Sequence, residues 1–406
     1  VAATDEDPRV GSILCMRYQV RRVVADGGMG RVYQALDLQD KSGVAIKVLH
    51  PDVSRDAVAV ERFKREYEVS KLLPHEHIVD VRDFSETEDK SYALVMEYLE
   101  GEELRTLIKR DKRLLPERIV RMLSQVAIGL DSAHRQRLVH RDLKPDNLFL
   151  CGTREGDIVK VLDFGSVKDK GSMAKKLTVI GTTIGSPYYM APEQAQGLDT
   201  LDARADVWAL AAITYECITG TVPFQGVNGP SILLSILTKD PEPPTRAGKD
   251  GGAPIPPSID DLMEVALAKN PNIRTRTVGE FADALGHAYG LTGSHMDWAY
   301  TPQSVLAQAI HAALPRVMAG RHAPGAPTAP AVPAAAMHAG FPPPPGLSFG
   351  GPEAMAMQPM APSYRTVADD AEFVMGVPKA FPRWAIGAII ASAAVLLFVL
   401  VAVFLN

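Results

Sequence analysis

His140-Arg141-Asp142-Leu143-Lys144-Pro145-Asp146-Asn147, followed downstream by Asp163-Phe164-Gly165, decides how this chain is read. Phosphoryl transfer needs a carboxylate to accept the proton of the attacked hydroxyl, and hard oxygen donors to hold a divalent cation. Asp142 suits the first task, and Asn147 and Asp163 suit the second. Each residue alone reads as a capping or turn residue. The whole string in this order has almost no such explanation.

Working upstream, Ala25-Asp26-Gly27-Gly28-Met29-Gly30-Arg31-Val32 is rich in glycine, which lets a backbone fold closely over phosphates because no Cβ blocks the approach. Its flanks are strand-like on both sides, which suits a hairpin. It lacks the Gly-Lys-Ser/Thr ending of a strand-to-helix phosphate loop. Val44-Ala45-Ile46-Lys47-Val48 places one lysine in an apolar strand. A cation there needs an anion. Glu66, on a helical pattern with Val60, Phe63 and Tyr67, can supply one and orient Lys47 toward phosphates.

With these residues in hand, the chain resembles the protein kinase superfamily over residues 18–289. The wording Gly-Gly-Met-Gly-Arg-Val-Tyr and Tyr-Met-Ala-Pro-Glu-Gln looks most like bacterial serine/threonine kinases of the eukaryotic type. The resemblance implies ATP as phosphate donor with Mg²⁺, or Mn²⁺ in its place, and protein substrates. It implies that Val24, Ala25, Gly27, Gly28 and Gly30 cover the nucleotide, and that Val32 and Ala45 line the adenine slot. It makes Met96 the gatekeeper and Glu97 to Leu99 the hinge that hydrogen-bonds adenine. Lys47 pairs with Glu66, Asp142 is the catalytic base, Lys144 steadies the γ-phosphate, and Asn147 and Asp163 hold the metal. Glu193 is expected to pair with Arg274, and Asp206 to brace the catalytic loop. Ala25 departs from the family, which has glycine there. Alanine tolerates fewer backbone angles, so somewhat weaker ATP binding is expected.

Lys144 after Asp142-Leu143, and Ser186 before Pro187, imply serine/threonine rather than tyrosine specificity. Arg141 before the base goes, in the family, with control by phosphorylation of the activation segment. A phosphate of about −2 charge would neutralise the arginine and order the loop. Thr178, Thr182 and Thr183 lie in the right stretch. Two other readings compete. A scaffolding pseudokinase would lack Lys47, Asp142 or Asp163, and all are present. A small-molecule phosphotransferase of related fold lacks the segment ending in Ala191-Pro192-Glu193, so residues 165–193 favour a protein substrate.

The fold expected is α+β: a bilobal kinase with a β-rich N-lobe and a helical C-lobe, then a disordered linker and one transmembrane helix. Short β-branched runs come first and longer helical stretches later. The divisions are a tail over 1–17, a kinase domain over 18–289 (lobes about 18–98 and 99–289), an Ala/Pro-rich linker over 290–383 and a membrane helix over 384–405. The linker reading rests on the Ala, Pro and Gly density of residues 301–371, which lack the residues that bury a core. Residues 341–345 fit a polyproline ligand less well than a spacer. Residues 385–405 carry no charge and, at ~1.5 Å per residue, can cross a hydrocarbon core of ~30 Å. Lys379 and Arg383 precede the span, which places the kinase on the cytoplasmic side of the inner membrane. Tethering there favours self-association and autophosphorylation in trans. The chain is then either tail-anchored or continues into a sensor domain.

Composition agrees. Of 406 residues, 46% are hydrophobic and 22% charged, enough for a packed core. A net charge of −5 argues against a nucleic-acid partner. Residues 1–10 are acidic and polar, unlike a secretory signal. Cys15, Cys151 and Cys217 share no ligand spacing and read as buried thiols in a reducing compartment. His75-Glu76-His77 reads as the turn before a strand rather than as a metal motif.

Overall fold

The computed structural model describes residues 7–164, 187–198, 201–248 and 251–319. The chain divides into two units, Val1–Pro327 and Thr328–Asn406, and all the described residues lie in the first. The linker beyond residue 319, the expected membrane helix, and Thr178, Thr182, Thr183 and Ser186 lie outside the described residues.

The first lobe is a six-stranded antiparallel sheet. Strands β1 (Ile13–Leu14), β2 (Tyr18–Asp26), β3 (Gly30–Asp37), β4 (Gly43–Leu49), β5 (Val81–Glu86) and β6 (Tyr92–Glu97) run in the order β1-β2-β3-β4-β6-β5. Period-two alternation splits β4 between two faces. Val44, Ile46 and Val48 are buried with Tyr18, Val20, Tyr33 and Val95, while Ala45 and Lys47 point the other way. Helix α1 (Ala57–Leu72) is capped by Asp56, whose side chain accepts the Val58 N–H at 2.9 Å. Its buried positions Ala59, Phe63, Glu66 and Ser70 recur every three or four residues, so Glu66 lies on the inward face.

The second lobe is helical: α2 (Leu104–Asp111), α3 (Pro116–Arg135), α4 (Pro192–Ala195), α5 (Arg204–Thr219), α6 (Gly229–Thr238), α7 (Pro244–Ala247), α8 (Ser258–Ala266), α9 (Val278–Ala288), α10 (His295–Trp298) and α11 (Gln303–Ala319). A small sheet of β7 (Glu102–Glu103), β8 (Leu148–Thr153) and β9 (Gly156–Val161) joins it. Every residue of α5 after Arg204 is buried, as befits a helix at the centre of a lobe. The lobes meet where Val79 N–H donates to the Val161 carbonyl (3.0 Å) and Val161 N–H to the His77 carbonyl (2.8 Å). His77 is buried there, its Nδ1 3.1 Å from the Val159 carbonyl. His75-Glu76-His77 is thus a lobe junction.

Two expectations are corrected. The segment from residue 290 is not linker up to residue 319: Leu291, Trp298, Leu306 and Ile310 are buried in the C-lobe core. Trp298 fits because residue 286 is glycine, where a Cβ would lie 2.1 Å from the indole. Gln303 N–H donates to the Glu155 carbonyl (2.8 Å), and Gln125 Nε2 to the Ala299 carbonyl (3.0 Å). Averaging composition over 301–371 hid the i, i+4 pair Leu306 and Ile310, which needs only one helix face. Secondly, Cys217 alone of the three thiols is buried; Cys15 and Cys151 are half-buried, and all three are free.

Candidate active site

The cleft face of the N-lobe is set by strand register. Ala25 opposes Val32, Val32 opposes Lys47, and Ala45 opposes Met96, so expected nucleotide-lining residues form neighbouring rows. Ala25 lies within β2 and is not among the residues with positive φ. Alanine adopts strand geometry freely, so the backbone argument for weaker ATP binding does not apply. Gly30 is irreplaceable on steric grounds, because a Cβ there would lie 2.3 Å from the Val48 carbonyl oxygen. The Glu97 side chain is engaged away from any adenine: its Oε1 accepts from Lys160 Nζ (2.7 Å) and from Asp80 N–H (2.9 Å). Its backbone N–H donates to the Asp80 carbonyl at 2.9 Å, which leaves the Glu97 carbonyl as its hinge group. Leu99 packs half-buried below it.

Lys47 Nζ sits 3.3 Å from Glu66 Oε2 and 3.8 Å from Asp163 Oδ2. Burial disfavours its charge, but Glu66 and Asp163 outweigh that and hold its pKa above the ordinary lysine value. Burial pushes the Glu66 carboxyl up to about 7, the Asp163 carboxylate adds to the rise, and Lys47 opposes it. One lysine thus serves two carboxylates from different lobes.

On the C-lobe side, the Asp142 side chain is 44% exposed, open to an incoming hydroxyl, and accepts from Lys144 Nζ at 3.0 Å. Burial works against the Lys144 charge, but Asp142 prevails and its pKa is raised. Asn147 is buried and donates its amide to the Asp142 carbonyl (2.7 Å), leaving its side-chain oxygen as an acceptor. Arg141 and Asp163 hold positive φ, 66° and 59°, as bulky residues do when their surroundings fix them. Phe164 is fully buried with its ring 4.7 Å from that of His140.

What fixes this loop was only partly foreseen. Buried Asp206 accepts the backbone N–H of His140 (2.8 Å) on one oxygen and of Arg141 (2.9 Å) on the other, the brace expected of it. His134, not singled out from sequence, adds its Nε2 to Asp206 at 2.7 Å. His140 Nε2 donates to the Leu162 carbonyl (2.9 Å), so its Nδ1 is the acceptor for Asp142 N–H (3.3 Å). Gln194 Nε2 donates to the Arg141 carbonyl (2.8 Å). Glu193 and Arg274 pair as expected, through two contacts of 2.6 and 2.8 Å, with the guanidinium over the Trp208 ring. His134 belongs to no catalytic string, and its contact with Asp206, 72 residues away in the chain, left no local signal.

Among the described residues no three His, Cys, Asp or Glu side chains gather as a metal cage. One amide oxygen and one carboxylate are still a fit for Mg²⁺ or Mn²⁺, which share their shells with phosphate oxygens and water. Asn147 and Asp163 offer that pair of hard donors.

The family described as Protein kinase domain matches residues 18–289. The chain belongs to the protein kinase domain family. Similar proteins include serine/threonine-protein kinase pkn3 of Myxococcus xanthus, 38% identical over 315 residues, covering 77% of this chain and 57% of that protein. Serine/threonine-protein kinase PknA of Mycobacterium tuberculosis is 38% identical over 282 residues, covering 68% of this chain and 62% of its own length. This kinase-family chain therefore spans about three fifths of those relatives. The crystal structure of the Mycobacterium tuberculosis PknI kinase domain is similar at a TM-score of 0.53 and 27% identity, over 68% of this chain and 98% of that one.

The brace makes a pH prediction. Burial disfavours a charged His134, but Asp131 and Asp206 overcome it and push its pKa up to about 9 from 6.5. A raised histidine contributes stability that is fully present below about pH 6.5 and is lost as pH rises through about 9. Urea unfolding should give a stability that falls between pH 6.5 and 9, and His134→Gln should flatten that fall. Equal slopes in the two proteins would remove His134 from the account.

Proposed function

We propose that this chain is a serine/threonine protein kinase that moves the γ-phosphate of ATP to Ser or Thr hydroxyls of protein substrates and of its own copies. The observation that carries this is the joining of Lys47 and Glu66 of the N-lobe to Asp163 of the C-lobe, whose carboxylate also acts on the Lys144 that hydrogen-bonds Asp142, with Asn147 bonded to the Asp142 backbone. In this reading Gly27, Gly28 and Gly30 lie over the phosphates. Val24, Ala25, Val32, Ala45, Met96, Leu99 and the Glu97 backbone border the adenine. Lys47, held by Glu66, orients the α- and β-phosphates. Asp142 accepts the hydroxyl proton as the oxygen attacks, and Lys144, already hydrogen-bonded to Asp142, offsets charge on the transferred group. Asn147 and Asp163 would hold Mg²⁺ or Mn²⁺, which when bound neutralises charge on the phosphate oxygens. Arg141 and Thr178, Thr182 and Thr183 form the regulatory set.

Lys47→Met and Asp142→Asn should each lower autophosphorylation at least about 10²-fold, the scale for removing a charge clamp or proton acceptor. Phosphopeptide mapping of the wild-type chain should find phosphate on at least one of the three threonines. Near-normal transfer by either variant would sink the assignment, and a loop free of phosphate would sink the switch.

We also propose that the kinase is tethered to the inner face of the cell membrane. Residues 385–405 are uncharged, Trp384 stands at their boundary, and Lys379 and Arg383 precede them. Among the described residues no helix is long and apolar enough to cross a membrane, and the candidate span is not among them. The chain should sediment with membranes. Protease should cut the kinase domain in inside-out vesicles and spare it in intact cells. Recovery in the soluble fraction would contradict the anchor.

A further inference from the structure

His50 follows the last residue of β4, three positions beyond Lys47, and belongs to none of the expected site strings. Its side chain nonetheless reaches the tip of the glycine loop. Nε2 lies 2.9 Å from the Gly27 carbonyl oxygen and 3.2 Å from Asp26 Oδ1. Both partners only accept, so Nε2 carries the proton. The ring is held in turn, because Asp26 is paired with Arg31, and Arg31 with Asp7. The backbone of the same residue acts as well: His50 N–H donates to the Met29 carbonyl at 3.0 Å. Two peptide units of the loop are therefore fixed by one residue.

The direction of that hold matters. Continuing the alternation of β4, His50 falls on the face of Ile46 and Val48, which is packed into the N-lobe core, and opposite Lys47. A trans peptide is planar, with its C=O and the following N–H pointing opposite ways. A Gly27 carbonyl drawn toward His50 turns the Gly28 N–H toward the side of Lys47. Gly28 has nothing within 4 Å of where a Cβ would be, so no neighbour packs on that side of its backbone. Gly27 N–H donates to the Gly30 carbonyl at 3.0 Å, which closes the turn but leaves the Gly27 to Gly28 peptide plane to be set by its other partners.

We propose that His50 is a positioning residue for the glycine loop: by holding the Gly27 carbonyl on the face opposite Lys47, it aims the Gly28 N–H at the phosphates of a nucleotide beside Lys47. This rests on the kinase reading above. The hold acts on the phosphate end and leaves the adenine slot of Val32, Ala45 and Met96 alone. It also gives the loop an ordered tip before nucleotide arrives, which lowers the ordering entropy charged against binding.

The test compares binding of ATP, ADP and adenosine to the full chain and its variants by calorimetry, with amide hydrogen exchange of residues 27–30 in the nucleotide-free protein. His50→Phe keeps a ring without the donor. It should weaken ATP about three- to tenfold, the range of one net hydrogen bond, leave adenosine within about twofold, and speed exchange in the loop. His50→Gln, which restores an N–H donor, should recover most of the ATP affinity. Unchanged ATP affinity in His50→Phe, an equal loss for ATP and adenosine, or no recovery in His50→Gln would overturn the proposal. A wild-type chain that binds no ATP would overturn the kinase reading instead, so the two failures are distinguishable.

Discussion

A single buried carboxylate holds the catalytic loop in place. Asp206 stands in the first turn of helix α5, buried in every residue after Arg204, where desolvation alone would drive it neutral. Hydrogen bonding and charge from His134, with the His140 ring and the backbone donor of Arg141, reverse this and keep its pKa below the ordinary carboxylate range. The consequence is mechanical. With two consecutive amides pinned to one carboxylate, Arg141 can be held at positive φ, and the chain turns so that Asp142 emerges at the surface. His140 extends the same logic by fixing the Leu162 carbonyl and packing on Phe164, so the strand leading to Asp163 is set from the same centre. Removing one partner from such a buried cluster leaves a charge or donor stranded, which is costly.

The second constraint links the lobes. Lys47 belongs to the β-sheet lobe and Asp163 to the segment beyond β9, yet they are 3.8 Å apart. Glu66 on α1 is the nearer partner, and its own raised pKa reflects burial beside a second carboxylate. A site with one cation between two carboxylates is poised for further positive charge, the electrostatic setting in which Asn147 and Asp163 can hold a divalent ion. The peptide contacts at Ile78 and Val79 with Val161 hold the lobes in register beside this cluster.

Much of this was legible because catalysis writes itself in short strings. The order of β-branched runs and helical runs gave the two lobes, and the lone lysine in Val44-Ala45-Ile46-Lys47-Val48 pointed to Glu66 as its partner, whereas the face it occupies is read from the structure. The partners of Asp206 were harder to see, since His134 lies on α3 and only the tertiary fold brings it to α5. The Glu97 side chain was unreadable for the same reason, since its engagement with Lys160 depends on β9 lying under the hinge. The error at residues 290–319 was one of averaging. Trp298, Leu306 and Ile310 are few and widely spaced, and their burial depends on a glycine at 286 and on helices α3 and α9 already being assembled. Composition describes a segment on its own, and these residues fold only against a surface made elsewhere.

Asp206 shapes the site through the backbone of His140 and Arg141 rather than by contact with nucleotide. Asp206→Asn preserves the shape and one acceptor while removing the charge, so turnover and nucleotide affinity should separate. Measured on the full chain, phosphate transfer should fall at least about tenfold, as a small displacement of Asp142 would cause, while ATP affinity stays within about twofold of wild type. Wild-type turnover in Asp206→Asn, or a parallel loss of ATP binding and transfer, would contradict the account.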